Sequence, residues 1–156
     1  MISIQIADSL TDLPPDLLGD VAYLERAAAE TLHQAGAPSS VGFTLVITDD
    51  EQLHQLNRQF LAIDAPTDVL SFPSDEVDLD TGEPYLGDVL ISLPRAAAQA
   101  QAGGHATRDE LQLLVVHGVL HLLGHDHAEP ADKTIMWALQ ASVLDGLGCQ
   151  VTWTSE

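Results

Sequence analysis

The sequence predicts an α+β protein with one domain over residues 1–156, in which a small mixed four-stranded sheet packs with about five helices. Short segments with alternating or continuous apolar residues, typical of strands, are interleaved with longer segments of helical periodicity. The chain is long enough for one sizeable core, and hydrophobic residues make up 46% of it with only 4% aromatics. The core is therefore expected to be aliphatic.

Four segments have the pattern of strands. The first alternates apolar and polar residues, the next three are short apolar runs, and Pro73 is expected to end the third. A loop with five carboxylates precedes the fourth and fails as a calcium loop, because Thr81 stands where that loop requires glycine. The predicted strands cover residues 2–7, 40–47, 68–72 and 86–92.

Five further segments have the periodicity or the boundary residues of helices. A proline pair opens the first, and sequences of the capping-box form, Thr48 to Glu51 and Thr107 to Glu110, open the second and fourth. The resulting order is β-α-β-α-β-β-α-α-α. The helices are expected at about 15–35, at 49–60, from Pro94 to Gly103, from Thr107 through the histidines, and at about 130–146.

The fourth of these helices is apolar on nearly every side. Such a helix is normally buried in the centre of a fold, so the two histidines near its end should lie deep in the molecule. Its apolar residues are Leu111, Leu113, Leu114, Val115, Val116, Val119, Leu120, Leu122 and Leu123.

The run HGVLHLLGHDH, residues 117–127, has the spacing of a metal site. His117 and His121 share one helix face, and Gly124 stands where glycine reverses the chain and can return His127 toward them. Three imidazoles with an open fourth position are typical of a catalytic zinc. We expect one Zn²⁺ per chain, although the donors also suit other divalent transition metals.

Two neighbours of these histidines have separate predictions. His125 lies two residues from His127 in an extended turn, so we expect its ring to face away, toward the surface or behind the ligands. Asp126 is a candidate to orient a ligand histidine through its second ring nitrogen. No side chain is assigned as the nucleophile, which is expected to be water activated by the metal.

The same spacing matches the metzincin protease signature H-E-x-x-H-x-x-G-x-x-H, with one departure. The glutamate that serves those proteases as general base is replaced by Gly118. Peptide hydrolysis is therefore disfavoured. A phosphodiester remains suitable, because a metal ion can offset charge on phosphoryl oxygens.

The composition limits the other classes of function. Twenty-four acidic against five basic residues give a formal net charge of −19, which disfavours non-specific nucleic-acid binding. There is neither a signal-peptide pattern nor an apolar run long enough to span a membrane. Cys149 is the only cysteine, which excludes an internal disulfide and suits the cytoplasm.

The histidine run resembles the H-G-x-L-H-L-x-G-[YH]-D-H signature of the YbeY family of bacterial rRNA maturation factors. Two upstream blocks also resemble that family. The first contains LNRQF at residues 56–60, then Asp64, then PTDVLSFP at residues 66–73; the second is LGDVLIS at residues 86–92. Thr67, Asp68 and Ser71 lie in the first block, where we interpret them as residues that satisfy backbone groups rather than as functional groups.

The resemblance implies a zinc-dependent, single-strand-specific endoribonuclease, with His117, His121 and His127 as the metal ligands. It also implies cytoplasmic action on rRNA, in maturation of the 16S 3′ end and in ribosome quality control, with the ribosome or ribosomal proteins as partners. One departure concerns RNA binding. The family usually has an arginine where this chain has Leu61, and we do not transfer its role to Arg58.

Two alternatives stay open at this point. One is a ribosome-associated assembly factor whose metal is mainly structural. The other is a zinc hydrolase that acts on a peptide or amide bond.

Overall fold

The sheet contains three parallel strands and one antiparallel strand at its edge. The computed structural model describes residues 2–10, 17, 19–38, 40–77 and 79–151. Its strands are β1 (Ile2–Ile6), β2 (Gly42–Thr48), β3 (Val69–Pro73) and β4 (Tyr85–Ser92), in the order β1-β2-β4-β3. β1 and β4 both run parallel to β2, whereas β3 pairs antiparallel with β4.

The described residues also form five helices, which connect and cover this sheet. Together with the strands they give the predicted order of elements and the predicted α+β fold of one small domain. The helices are α1 (Ala22–Gln34), α2 (Asp50–Leu61), α3 (Leu93–Gly103), α4 (Thr107–Leu122) and α5 (Pro130–Gly146).

Helix α4 lies at the centre of the main hydrophobic core, as its apolar sequence predicts. It packs against β3 and β4, and α1, α3 and α5 all contact it. Many fully buried side chains of the core come from the sheet, as with Phe43 and Ile91, and from α4, as with Leu111 and Leu120. The opposite face of the sheet is covered by α2, where Leu53 packs in a smaller cluster.

The ends of some elements differ from the prediction. Helix α2 is capped by Asp49, whose carboxylate accepts from the backbone N–H of Gln52 at 2.8 Å, one residue later than the predicted cap at Thr48. Pro73 is the last residue of β3 rather than the residue after it. The predicted start of the first helix, near residue 15, lies outside the described residues.

The capping box predicted at the start of α4 is wrong. The residue before the helix, Ala106, is the N-cap, and no side chain caps the end. Thr107 is therefore the first residue of the helix, and the side chain of Glu110 is turned inward and buried. No helix in the described ranges is long and apolar enough to cross a membrane.

Candidate metal centre

The three histidines of the run are brought together by the end of α4. The helix stops in a Schellman motif, in which the backbone N–H of Gly124 donates to the carbonyl of His121 and that of His125 donates to Leu120, both at 3.0 Å. Gly124 has a φ of 95°, a conformation that glycine adopts without a Cβ penalty. The reversal returns the chain toward the helix, as the spacing predicts.

His127 then lies beside the two helical histidines. Its ring centroid is 5.5 Å from that of His117 and 5.2 Å from that of His121. One ring nitrogen from each of the three residues falls within 4.8 Å of the others, so the cluster could hold a metal ion. The Nε2 atoms of His117 and His121 are 3.1 Å apart, close to the roughly 3.3 Å expected between two nitrogens on a tetrahedral zinc.

Gln140 of helix α5 fixes the orientation of His117. The amide oxygen Oε1 of this buried glutamine lies 3.0 Å from Nδ1 of His117. Because an amide oxygen accepts, Nδ1 donates the hydrogen bond and the lone pair of Nε2 faces the cluster. This is the arrangement in which metal-binding histidines are normally held.

Burial and the mutual proximity of the rings favour neutral imidazoles. Burial lowers the pKa of His117, against a smaller opposing effect of Gln140. Burial, followed by the charges of the two other histidines, lowers the pKa of His121 to about 4. Only a neutral imidazole has a lone pair free for a metal ion, so both shifts favour metal binding at neutral pH.

Trp137, also from helix α5, supports the third histidine. Its ring stacks on that of His127 with an interplanar angle of 24° and a centroid separation of 5.2 Å. It also lies 5.7 Å from the ring of His117. The histidine that comes from the turn therefore packs against a large side chain of a regular helix.

Gly118 allows α4 to lie directly on the sheet. A Cβ at this position would meet Cγ1 of Val89 at 2.5 Å, and Oγ of Ser71 and Cγ2 of Val69 at 3.3 Å. Ser71 also donates a hydrogen bond to the carbonyl oxygen of Gly118 at 2.9 Å. There is no room here for a glutamate, so the substitution that separates this chain from metzincin proteases has a steric basis as well as a chemical one.

The three histidines open onto a cleft of about 780 Å³. Leu61 lines it and is 52% exposed, whereas Arg58 is exposed elsewhere and does not line it. No Lys or Arg is among the described residues that line this cleft. Arg58 therefore does not supply the cleft with the basic group that was expected at the position of Leu61.

Polar residues of the PTDVLSFP block bond backbone groups, as predicted, and they also line the cleft. Asp68 accepts from the backbone N–H of Val69 at 2.8 Å, and Ser71 bonds the carbonyl of Gly118, as expected for residues that satisfy backbone groups. Thr67, Asp68 and Ser71 also line the cleft. They are therefore available to a bound molecule as well.

His125 and Asp126 lie outside the three-histidine cluster. His125 is partly buried and is absent from the cleft lining, in agreement with its predicted position. Asp126 is exposed, and its carboxylate accepts from the backbone N–H of His127 at 2.7 Å. The bond holds the returning turn, while the orientation of a histidine ring by Asp126 stays a prediction.

Three residues of the site were missed from the sequence. Gln140 and Trp137 lie on α5, and their i, i+3 spacing on one helix face was the available signal. Glu110, which lines the cleft, was assigned to a cap. Nothing local in the sequence distinguishes an inward carboxyl from a capping one at this position.

Comparisons with known proteins agree with this site. The family model described as endoribonuclease YbeY matches residues 7–148. The chain is 45% identical over 134 residues to endoribonuclease YbeY of Roseiflexus castenholzii, covering 83% of this chain and 84% of that protein. It is also 45% identical over 139 residues to endoribonuclease YbeY of Chloroflexus aggregans, covering 85% and 91%.

A solved structure has the same fold. The solution structure of TM1509 from Thermotoga maritima superposes with a TM-score of 0.61 at 26% identity, covering 94% of this chain and 89% of that one. The family match includes the histidine run and both upstream blocks. The chain therefore belongs to the endoribonuclease YbeY family.

Proposed function

We propose that this protein is a zinc-dependent endoribonuclease that cleaves single-stranded rRNA. The observation that carries the proposal is a cluster of three imidazoles, open to a cleft, in a chain of the endoribonuclease YbeY family. We further propose that it acts in the cytoplasm on the 3′ end of 16S rRNA and in ribosome quality control.

The donor set supports zinc as the metal. His117, His121 and His127 each offer one ring nitrogen and line an open cleft, and three protein ligands are the pattern of catalytic rather than structural zinc. When bound there, the ion would activate water and offset negative charge on a phosphodiester. Gln140 keeps the His117 ring in the orientation of a ligand. Asp126 is proposed to help position His127 by accepting a hydrogen bond from its backbone N–H.

The surroundings of the cluster favour a phosphodiester over a peptide bond. A protease of the metzincin pattern would need a glutamate at position 118 as general base, and the close contact of Gly118 with Val89 leaves no space for one there. The cleft instead presents Trp137 beside the histidines and Leu61 elsewhere in its lining, which are apolar surfaces suited to unstacked bases.

This protein has few basic side chains with which to bind the phosphates of RNA, unlike a basic nuclease. The net charge is −19, and three of the five cations are engaged within the fold: Arg26 donates to the carbonyl of Leu147, Arg95 pairs with Asp50, and Arg108 lies over the ring of Tyr23. We propose that the phosphate is held at the histidine end of the cleft, and that a ribosomal protein or the ribosome supplies further affinity.

The test compares two histidine variants from the same run. Purified wild-type protein is expected to cleave a single-stranded rRNA fragment, to lose this activity with a chelator and to regain it with Zn²⁺. His121→Ala should lose both metal and activity. His125→Ala, the matched control outside the cluster, should keep both.

The alternatives predict different results in the same assay. One equivalent of metal together with intact RNA would refute the nuclease and favour an assembly factor. Cleavage of casein with intact RNA would favour a peptide hydrolase. Cleavage that survives both the chelator and His121→Ala would refute the proposed metal site.

A further inference from the structure

A second polar group borders the cleft away from the metal cluster: Glu110 lines the cleft, and His105 lies behind it. The side chains of Glu110 and His105 are only 6% and 8% exposed, and Oε1 of Glu110 lies 3.6 Å from Nε2 of His105. This distance is too long for a hydrogen bond. Oε2 of Glu110 and both ring nitrogens of His105 are buried without a hydrogen-bond partner among the described residues.

The fold holds this pair in place although three of its polar atoms lack hydrogen bonds. A buried polar group without a partner costs about 1–3 kcal/mol, so such groups are rare unless they serve a function. Gly103 makes room for the His105 ring, because a Cβ there would meet its Cε1 at 2.7 Å and its Nδ1 at 2.9 Å. A glycine at this position therefore leaves space for the ring that faces Glu110.

Glu110 and the metal cluster share one cleft. Glu110 lines it together with the three histidines, and it precedes His117 by seven residues on the same helix. Seven residues of α-helix rise about 10 Å, which places the carboxyl two turns from the cluster. Asp68 also lines this cleft. Its charge opposes the lowering that burial causes in the pKa of His117. Burial raises the pKa of Glu110 and Asp68 adds to that rise, whereas His105 lowers it.

The charges at the Glu110 end of the cleft determine which kind of chemical group can bind there. Asp68 and Glu110 are acidic, and none of the described lining residues is Lys or Arg, so a phosphate is repelled here. An uncharged group with N–H donors is attracted, because neither oxygen of the Glu110 carboxylate has a donor within hydrogen-bonding distance among the described residues, and only Oε2 is fully buried. The bases of single-stranded RNA present such donors on their free Watson–Crick edges.

We propose that Glu110, positioned by His105, accepts a hydrogen bond from the amino group of the nucleobase next to the scissile phosphate, and so determines specificity. The inference rests on the proposed function, which places that phosphate at the histidines. Adenine, cytosine and guanine each carry an exocyclic amino group. Uracil instead has a carbonyl oxygen on either side of its N–H and is disfavoured by a carboxylate.

Binding of nucleoside monophosphates tests this site without any cleavage. Their phosphate and base can span the two ends of the cleft, and they contain no phosphodiester. For the zinc-loaded wild-type protein, calorimetry should give AMP, CMP and GMP affinities at least about tenfold above that of UMP, the lower end of discrimination by a base-reading side chain. Glu110→Gln should reduce this ratio below about threefold, since an amide can also donate to a uracil carbonyl.

Two variants control for effects on folding. Asp109→Asn makes the same carboxylate-to-amide change on the same helix, but Asp109 does not line this cleft, so the preference should persist. Gly103→Ala displaces the His105 ring without changing a polar group, and it should weaken the preference as Glu110→Gln does. Circular dichroism checks that each variant is folded.

Equal affinities for all four nucleotides in the wild-type protein would overturn the proposal, as would an unchanged ratio in folded Glu110→Gln. Failure of the proposed function gives a different result. In that case single-stranded RNA stays intact with zinc bound, whatever the order of the nucleotide affinities.

Discussion

Replacement of Gly118 by alanine tests how closely helix α4 must lie on the sheet. The added Cβ would be 2.5 Å from Cγ1 of Val89, which is a stiff β-branched side chain with little freedom to move. Overpacking of this kind costs about 1–3 kcal/mol. Alanine also gains about 1 kcal/mol over glycine inside a helix. The free energy of unfolding should therefore fall by up to about 2 kcal/mol.

Gly146 provides a matched control, because it is also a helical glycine. A Cβ there would approach Nε2 of Gln34 at 3.3 Å, and this is the end of a flexible side chain. Gly146→Ala should thus keep much of the helix gain, and urea denaturation should show it to be about 1–3 kcal/mol more stable than Gly118→Ala. Metal affinity should fall only in Gly118→Ala, which displaces the helix that carries His117 and His121.

A double-mutant cycle with Val89→Ala isolates the contact. Removal of the valine methyl groups costs about 1.6 kcal/mol of burial by itself, but it also opens space for the new Cβ. Gly118→Ala should then be neutral or stabilising in the Val89→Ala background, giving a coupling of about 1 kcal/mol or more. The reasoning is refuted if the two substitutions are additive, or if Gly118→Ala is as stable as Gly146→Ala.

Four further predictions follow from individual side chains. Gln140→Leu should weaken zinc binding about 10–100-fold in competition with a chelator, because the ring it orients becomes free to turn; unchanged affinity would contradict this role. Leu61→Arg should raise the affinity for single-stranded RNA, and the slope of the logarithm of the binding constant against that of the salt concentration should become steeper by about 0.7. Ile63→Arg, at an exposed residue outside the cleft, should have a smaller effect. The pKa of His121 is lowered to about 4, so the unfolded chain binds more protons than the folded protein between about pH 6.5 and 4. The free energy of unfolding of the metal-free protein should therefore be highest above pH 6.5 and fall as the pH drops toward 4. A urea midpoint that does not change over this range would contradict the shift. Burial, with the charge of Asp109, raises the pKa of the Cys149 thiol to about 12. Thiol reagents at pH 8 should therefore react with Cys149 far more slowly in the folded than in the denatured protein. Equal rates would contradict this.

The metal cluster was predictable because its geometry is local. His117 and His121 are placed by one helix, and His127 by a turn whose glycine conformation is visible in the sequence. The buried character of α4 also follows from its composition alone. Each of these features depends on residues within a few positions of one another, where periodicity and capping rules apply.

The supporting residues could not be predicted in the same way. Gln140 reaches His117 from another helix, 23 residues away in sequence, so its role depends on how α5 packs against α4. Glu110 has the sequence position of a capping residue, but α4 begins one residue after Ala106 and its carboxyl turns inward to His105. Long-range packing decides both outcomes, and local pattern does not encode it.

Titration of the metal-free protein with Zn²⁺, followed by cleavage of a single-stranded rRNA fragment at each step, tests the central claim most directly. The three-histidine cluster predicts activity that rises linearly and stops rising at one equivalent of Zn²⁺ per chain. His127→Ala should show no such break. RNA cleavage at full rate before any metal is added, or no cleavage after one equivalent is bound, would contradict the account.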